Sequence, residues 1–568
     1  MTKYLVTSAL PYANGPLHFG HLAGVYIPAD IYTRHRKLQG EEAIHISGSD
    51  EHGVAIMLNA QKEKQDYKSY VDHWHKDHKN LFDKYGVDFD FFGQTSSDYH
   101  AEEVIPWFNA LLEKGLIEPR EGKQLQCGDC HNHLPDRFVG GECYECGYEQ
   151  ARGDECPNCG IIIDSVKLIN PECQICGSKN ISEVSVTQYY LLLSKAHGDY
   201  RQWLEAAMPR FRKTVTNYVD SLTKESLHDR AITRDLDWGI DVPIAEAKGK
   251  KLYVWFDAPI GYVSNTKQWI KETGRSDHYK HDWWNNRDTH IEHFIGKDNI
   301  IFHCIIFPVM SMASEQVHTC YDVPANQYLN LEGKQFSKSS GWYVDAHEAV
   351  DQFGSDALRY YLTAISPEGS DSSFTWEGFQ ARVNGELANN IGNLINRCLK
   401  FWKKNWPDGM SETEIKAYEH LSDMKKLRAK LAVSKDHLDK KEIKRALEEV
   451  MTMGHLANEF FSERAPWASY KIDPHIAAKT ISETAAMILV TAAALKPFTP
   501  SLSAEIFALF GDVSEEQQSR LYQEDFDVIA EIFENAGKTP VKAPKALVPK
   551  IDDDVISDLK EKLKALSS

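Results

Sequence analysis

Apolar positions recur along this chain in two rhythms. In the first part, short β-rich runs alternate with stretches of helical period. Runs at 4–7, 44–47, 252–256 and 293–295 predict strands, with helices between them. Residues 1–115 and 227–325 therefore read as one α/β unit with the pattern of a nucleotide-binding domain. A Cys-rich, loop-rich stretch between the two halves reads as an insertion over 116–226. After about residue 378 the strand signals fade. Amphipathic helical patterns run through 381–402, 412–431, 441–463 and 476–496, as in a helix bundle over 378–536. Residues 326–377 link the two parts. The tail, 537–568, is rich in Lys, Pro and Ala before a last short helix, Asp553–Leu566.

Composition narrows the class. The chain has 568 residues, 42% hydrophobic and 26% charged, which points to several globular domains. Its longest apolar stretch, 300–313, carries His303 and is too short to span a membrane. A predicted strand starts almost at once, without a signal-peptide pattern, so a cytosolic location is expected. The net charge of −19 argues against a general electrostatic grip on nucleic acid, so any RNA contact needs a local basic patch.

Candidate chemistry appears first in Leu10-Pro11-Tyr12-Ala13-Asn14-Gly15-Pro16-Leu17-His18-Phe19-Gly20-His21, between a predicted strand and a predicted helix. Small residues let backbone approach phosphates, and a helix N-terminus favours anions. Two imidazoles three residues apart can reach one phosphate group, although alone they read equally well as surface histidines on a turn. A second polar loop, Gly333-Lys334-Gln335-Phe336-Ser337-Lys338-Ser339-Ser340, would by itself read as solvated. Four Cys-x-x-Cys pairs fall within fifty residues: Cys127/Cys130, Cys143/Cys146, Cys156/Cys159 and Cys173/Cys176. Eight thiolates suit two structural Zn2+ sites of four cysteines each, and a cytosolic setting disfavours disulfides. Three pairings of the four motifs are open. Cys304, Cys320 and Cys398 are scattered and read as packing.

Taken together, the two polar motifs resemble the signature pair of class I aminoacyl-tRNA synthetases, which holds ATP. Pro11-Tyr12-Ala13-Asn14-Gly15, Gly48-Ser49-Asp50-Glu51-His52-Gly53, Val254-Trp255-Phe256-Asp257-Ala258-Pro259-Ile260-Gly261-Tyr262 and Phe294-Ile295-Gly296-Lys297-Asp298 resemble the methionyl-tRNA synthetase family, in that family's order. The resemblance implies a Rossmann-type parallel-sheet catalytic domain split by zinc knuckles, then an α-helical anticodon-binding bundle. It implies an enzyme that activates L-methionine with ATP and Mg2+ and transfers it to tRNA. His18 and His21 would donate to the phosphates, Lys338 would stabilise the leaving pyrophosphate, and Arg234 would be a further basic group. Tyr12, Asn14, Gly20, Gly296 and Asp298 would complete the ATP site. The second loop departs from the family pattern, because Gln335 replaces the motif's first lysine and Lys334 stands one place earlier.

The methionine pocket implied by the same resemblance is Leu10, Tyr12, Trp255, Ala258, Pro259, Tyr262 and His303, with Asp50 for the α-ammonium. Aromatic edges suit polarizable sulfur. Asn299 stands where the family often has Ile. The family edits homocysteine by cyclising it, and the same is expected here, because fit alone discriminates poorly by one methylene. The resemblance also favours nested metal sites, Cys143, Cys146, Cys156 and Cys159 inside, Cys127, Cys130, Cys173 and Cys176 outside. Asn389, Asn393 and Arg397 share a helix face. With Trp467 they match the family's anticodon readers, where an aromatic stacks on a base. Lys400, Lys403 and Lys404 supply the local basic patch. An insertion dominated by knuckles leaves no room for the editing domain of the valine, isoleucine and leucine enzymes. With the chain ending soon after the bundle, a monomer is expected.

Overall fold

The segment Lys3–Ser8 (β1) is buried almost throughout and forms the middle of a five-stranded parallel sheet. A strand covered on both faces reads as a continuous apolar run, which is why it is conspicuous in the sequence. β2 (Glu42–Ser49) pairs with it on one side and β4 (Thr289–Gly296) on the other, with Leu5 opposite Ile44 and Ile291. β3 (Phe91–Gln94) and β5 (Ala325–Asn326) form the edges, so the order is 5-4-1-2-3. The order reverses between β1 and β4. In such open sheets, ligands occupy the crevice outside the carboxyl ends of the strands at that point. The computed structural model describes residues 2–153, 156–159, 161, 163–275, 280–336, 341–411, 414, 422–538, 542 and 546–566.

One expected strand is corrected. In 252–256 only Leu252 extends a strand, Lys251–Leu252, paired antiparallel with Thr233–Arg234. The chain then turns into a helix, Val254–Asp257. A short apolar run does not distinguish a buried strand from a buried helical turn by periodicity.

The helix after β1, α1, begins at Phe19–His21, passes through a π turn at Leu22–Tyr26 and continues as Ile27–Leu38. Between β3 and β4 the chain leaves the sheet along an antiparallel ribbon, Ile117–Cys127 against Ile181–Leu191. The ribbon carries a small outer sheet of Val139–Glu142 flanked by Ala151–Arg152 and Ile169–Cys173. Leu125, Leu134, Phe138 and Leu168 form a separate apolar cluster there, which also takes in Val54, Met57 and Leu236 from outside the insertion.

The later helices follow the predicted pattern. α2 runs through Trp376–Arg382, a π segment Val383–Gly392 and Asn393–Asn405. α3 is Ser422–Asp439, α4 Ile443–Arg464 and α5 Pro474–Leu495. Of the helix expected over 412–431, residues 412, 413 and 415–421 lie outside the described residues. Among the described residues, α5 alone is long and apolar enough to cross a membrane, but its apolar window is 83% buried, as a bundle's central helix must be. The terminal helix Asp553–Leu566 docks on α2, where Gln380 donates to Asp553 at 2.7 Å.

Candidate active site

After β1 the chain crosses the carboxyl edge of the sheet. Ala13 N–H donates to Asp50 O at 2.8 Å and Asp50 N–H donates to Pro11 O at 2.9 Å, so Tyr12 and Asp50 lie side by side. His18 caps α1. Its Nδ1 accepts from Gly20 N–H at 3.1 Å, and its own N–H donates to His21 Nδ1 at 3.1 Å. This reciprocal cap satisfies otherwise orphaned backbone donors. It also sets the chemistry, because a neutral ring whose Nδ1 accepts carries its proton on Nε2. The two rings, with centroids 3.9 Å apart, thus make a pair of Nε2–H donors at a helix N-terminus. Gly20 is needed there, since a Cβ would come within 2.9 Å of His18 Cε1.

Phe336, from the second signature loop, stacks on His18 with centroids 4.5 Å apart and planes 2° from parallel. The two segments singled out in the sequence therefore meet. Lys338 lies outside the described residues. Gln335 is exposed, and Lys334 holds its ammonium 4.8 Å from the centroid of the Trp342 ring. Arg234 donates to both Asp136 oxygens, at 2.9 and 3.3 Å, and lies over the Tyr253 ring at 4.2 Å. Asp136 and Tyr253 line the cleft described below, so Arg234 backs its wall. Asn14 Oδ1 accepts from Asn59 at 2.8 Å and Tyr70 at 3.3 Å, which fixes its amide. Across the switch point, Gly296 ends β4 and Asp298 follows, exposed, in a short turn.

Beside this edge lies a cleft of about 690 Å³, partly open to solvent and lined by Tyr12, Asp50, Val54, Arg137, Tyr253 and Trp255 among others. Trp255 stacks on Phe302 at 3.7 Å. Leu10 is half-buried, and Ala258 and Pro259 are buried in the turn leading to Tyr262. The Tyr262 hydroxyl lies 2.8 Å from His303 Nε2. His303 Nδ1–H donates to Asn299 O at 3.0 Å, so Nε2 is the acceptor and Tyr262 the donor. Burial holds the His303 pKa down at about 4, which keeps the ring neutral near pH 7.

Asp50 is 4% exposed, and its Oδ1 has no hydrogen-bond partner. Burial, then the nearby Asp257 carboxylate, push its pKa well up. A buried carboxylate in that state lacks a cation. Asp257 itself is held by His52 Nδ1 at 2.6 Å, with His100 Nε2 at 3.5 Å.

The eight cysteines gather into two groups, Cys127, Cys130, Cys173 and Cys176, and Cys143, Cys146, Cys156 and Cys159, each with its sulfurs within 4.8 Å of one another. The nested pairing is thus the one adopted. Sulfur separations across the pairs are 3.6 Å (Cys127–Cys176), 3.8 Å (Cys130–Cys173), 3.9 Å (Cys143–Cys159) and 3.6 Å (Cys146–Cys156). A tetrahedron with metal–sulfur bonds near 2.3 Å has edges of about 3.8 Å, so both groups fit a Zn2+ ion. The residue after the second cysteine is left-handed in three knuckles, at His131, Gly147 and Gly177. Glycine, or a residue tolerant of that conformation, is what the turn demands.

The family described as "tRNA synthetases class I (M)" matches residues 4–399, and "Anticodon binding domain of methionyl tRNA ligase" matches 407–568. The methionine–tRNA ligase of Chloroherpeton thalassium is 38% identical over 587 residues, covering 100% of this chain and 82% of the relative. That of Methanopyrus kandleri is 38% identical over 574 residues, again covering 100% and 82%. This chain belongs to the methionyl-tRNA synthetase family. In fold it resembles the Mycobacterium tuberculosis methionyl-tRNA synthetase solved in complex with methionyl-adenylate, with a TM-score of 0.75 at 23% identity, covering 97% of this chain and 100% of that one.

In this synthetase the residues expected to face the anticodon all reach the surface. Asn389 and Asn393 are exposed on α2, and Arg397 is half-exposed one turn on. The Arg397 guanidinium lies 5.2 Å from the Trp467 ring and 5.0 Å from that of Phe461. Trp467 is 43% exposed, so it is not a core tryptophan. What the sequence reading missed is that the insertion contributes to the cleft. Asp136 and Arg137, which lie between the first two Cys-x-x-Cys pairs, line it. Their placement follows from Phe138 packing in one apolar cluster with Val54 and Met57, and no spacing rule reports that contact.

Proposed function

We propose that the cleft binds L-methionine and ATP for in-line attack of the methionine carboxylate on the α-phosphate, with pyrophosphate leaving. A ribose hydroxyl at the tRNA 3′ end then attacks the acyl carbon of the adenylate and AMP leaves. The observation that carries this reading is the unpartnered, buried Asp50 Oδ1 beside Tyr12 and Trp255. An α-ammonium there would supply the missing cation and place the carboxylate toward the His18 and His21 donors.

Charge gathers on the phosphates in the transition state, so positioned donors do most of the work. In this reading His18 and His21 donate through Nε2, with Lys338 on the pyrophosphate and Arg234 holding the cleft wall that Asp136 forms. Tyr12, Asn14, Gly20, Gly296 and Asp298 seat the nucleotide. Mg2+ comes with ATP, held mainly by phosphates and water. Leu10, Trp255, Ala258, Pro259, Tyr262 and His303 enclose the thioether. The His303–Tyr262 pair keeps the slot neutral, which favours a thioether over a charged side chain. Zn2+ in each cysteine group orders the insertion, and Asn389, Asn393, Arg397 and Trp467 read the anticodon. Residues 1–115 with 227–325 act as the catalytic domain, and 378–536 as the anticodon domain, in a cytoplasmic monomer.

Pyrophosphate exchange tested with each of the twenty amino acids is expected to respond to methionine alone. His21→Ala should lower it at least roughly tenfold, as for a lost oxyanion-type donor. Undiminished exchange in that variant would remove the site from this cleft.

A further inference from the structure

Behind the cleft wall, buried groups that the reaction does not use meet at Asp257. Asp257 ends the helical turn Val254–Asp257 and is fully enclosed. Its Oδ2 accepts from His52 Nδ1–H at 2.6 Å and faces His100 Nε2 at 3.5 Å, while its Oδ1 has no partner. His100, also fully enclosed, stands in the first turn of the helix Asp98–Glu113. Ser264 donates to Gly261 O at 3.1 Å, so its oxygen accepts from His100 Nδ1–H at 2.9 Å. That leaves His100 Nε2 with Asp257 alone to face. A lone pair turned on a carboxylate repels it, whereas an N–H turned on it offsets its charge. One extra proton shared by His52 and His100 therefore balances Asp257, as a carboxylate at this depth requires. Burial works to raise the Asp257 pKa, yet His52 and His100 hold it below the ordinary carboxylate value.

His52 ties this cluster to the ammonium site, because it follows Asp50 by two residues. Its ring meets Trp238 edge-on at 5.8 Å, and Trp238 Nε1–H donates to Glu51 O at 2.6 Å. The Glu51 carboxylate is committed to Ser49, Gln94 and Ser96. Tyr12 and Tyr262 lie near Asp50, but burial pushes both hydroxyls up, so neither ionises near pH 7. Across the cleft stand Tyr253, Arg137 and Asp136, the last paired with Arg234. Among the carboxylates, Asp257 acts on Asp50 more strongly than Glu51 does. We propose that His52 and His100 are positioning residues for the amino-acid ammonium: by neutralising Asp257 they leave Asp50 as the single net negative charge in this wall, matched to one α-ammonium. Without them, Asp50 and Asp257 compete for one proton, and a protonated Asp50 no longer pairs with the substrate. Neither histidine lines the cleft. The proposal rests on the function proposed above.

The test is pyrophosphate exchange by the full chain, read as separate KM values for methionine and ATP. His52→Gln and His100→Gln should each raise the methionine KM at least roughly tenfold at about pH 7 and keep the ATP KM within about threefold. In these variants the methionine KM should fall as pH rises from about 6 to about 8.5, because Asp50 regains its charge. Asp257→Asn added to either variant should return the methionine KM to within about threefold of wild type, since no second carboxylate then competes. A role in packing alone would make the two changes add. The proposal is overturned by an unchanged methionine KM in both histidine variants, by equal rises in the two KM values, or by an Asp257→Asn change that deepens the loss. Should neither histidine variant fold, Asp257→Asn alone decides: the pH below which the methionine KM climbs must move down, and an unmoved profile overturns the proposal as well. Absence of methionine-dependent exchange in the wild-type chain would instead sink the function proposed above.

Discussion

His45 and His303 are both enclosed, and both are neutral because each ring donates from Nδ1 to a carbonyl and accepts at Nε2 from a hydroxyl. His45 uses Asp88 O at 2.9 Å and Ser8 at 2.7 Å. Burial lowers both pKa values to about 4. The unfolded chain takes these protons near the ordinary value of about 6.5. Between pH 6.5 and 4 the unfolded state therefore binds more protons, and stability falls as pH falls through that window. Each histidine adds at most about 1.4 kcal/mol per pH unit to the slope. Urea midpoints at pH 7 and pH 5 should differ accordingly, and His45→Asn should flatten the dependence by roughly one such increment. An unchanged slope would mean that His45 is already charged in the fold. None of this could be read from residue types. His18, His21, Asp50 and Tyr262 were legible by identity and spacing, but the tautomers, the Tyr262–His303 bond and the unpartnered Asp50 oxygen depend on neighbours from distant segments.

At the scale of elements, the knuckles are the most legible feature, because metal geometry is written into Cys-x-x-Cys spacing and into the residue that follows. Purified protein should carry close to two Zn2+ per chain with sulfur-only ligation by X-ray absorption. Cys143→Ser should release the inner ion and leave the outer one in place, as expected if the groups are independent. Loss of both ions together from that variant would show that the two groups fold as one unit. Strands were legible where they are long and buried on both faces, as with Lys3–Ser8, and illegible where they are edge pieces of a few residues, such as Phe91–Gln94 and Ala325–Asn326. The run 252–256 misled because much of its burial comes from a helical turn, Val254–Asp257. The π segments of α1, five residues, and α2, ten residues, left no trace in the hydrophobic pattern. In α2 the segment is held by Asn458 donating to Asn390 O at 2.5 Å and by Gly454, where a Cβ would come within 2.4 Å of Ile391.

Across the whole molecule, the net charge of −19 says little about where RNA binds. The exposed Trp467 offers a flat π-face beside the Arg397 cation, and Asn393 is exposed one turn before Arg397 on its helix, groups of the kind that unpaired bases use. Trp467 lies in the stretch that matches the anticodon binding domain, 407–568, whereas Asp50 and His18 lie in the class I match, 4–399. Adenylate formation needs only methionine and ATP, so it should not depend on Trp467. Charging needs tRNA, and stacking one base on an aromatic contributes ~1–3 kcal/mol. Trp467→Ala should therefore weaken aminoacylation by roughly 5- to 150-fold while exchange stays near wild type. The ring also meets Phe461 edge-on at 5.7 Å, so truncation removes some packing. A melting curve on the same sample separates the two effects: a small shift with selective loss of charging assigns Trp467 to RNA, whereas parallel loss of both activities and of stability assigns it to the helical core. Full charging by a folded variant would remove Trp467 from the RNA surface altogether.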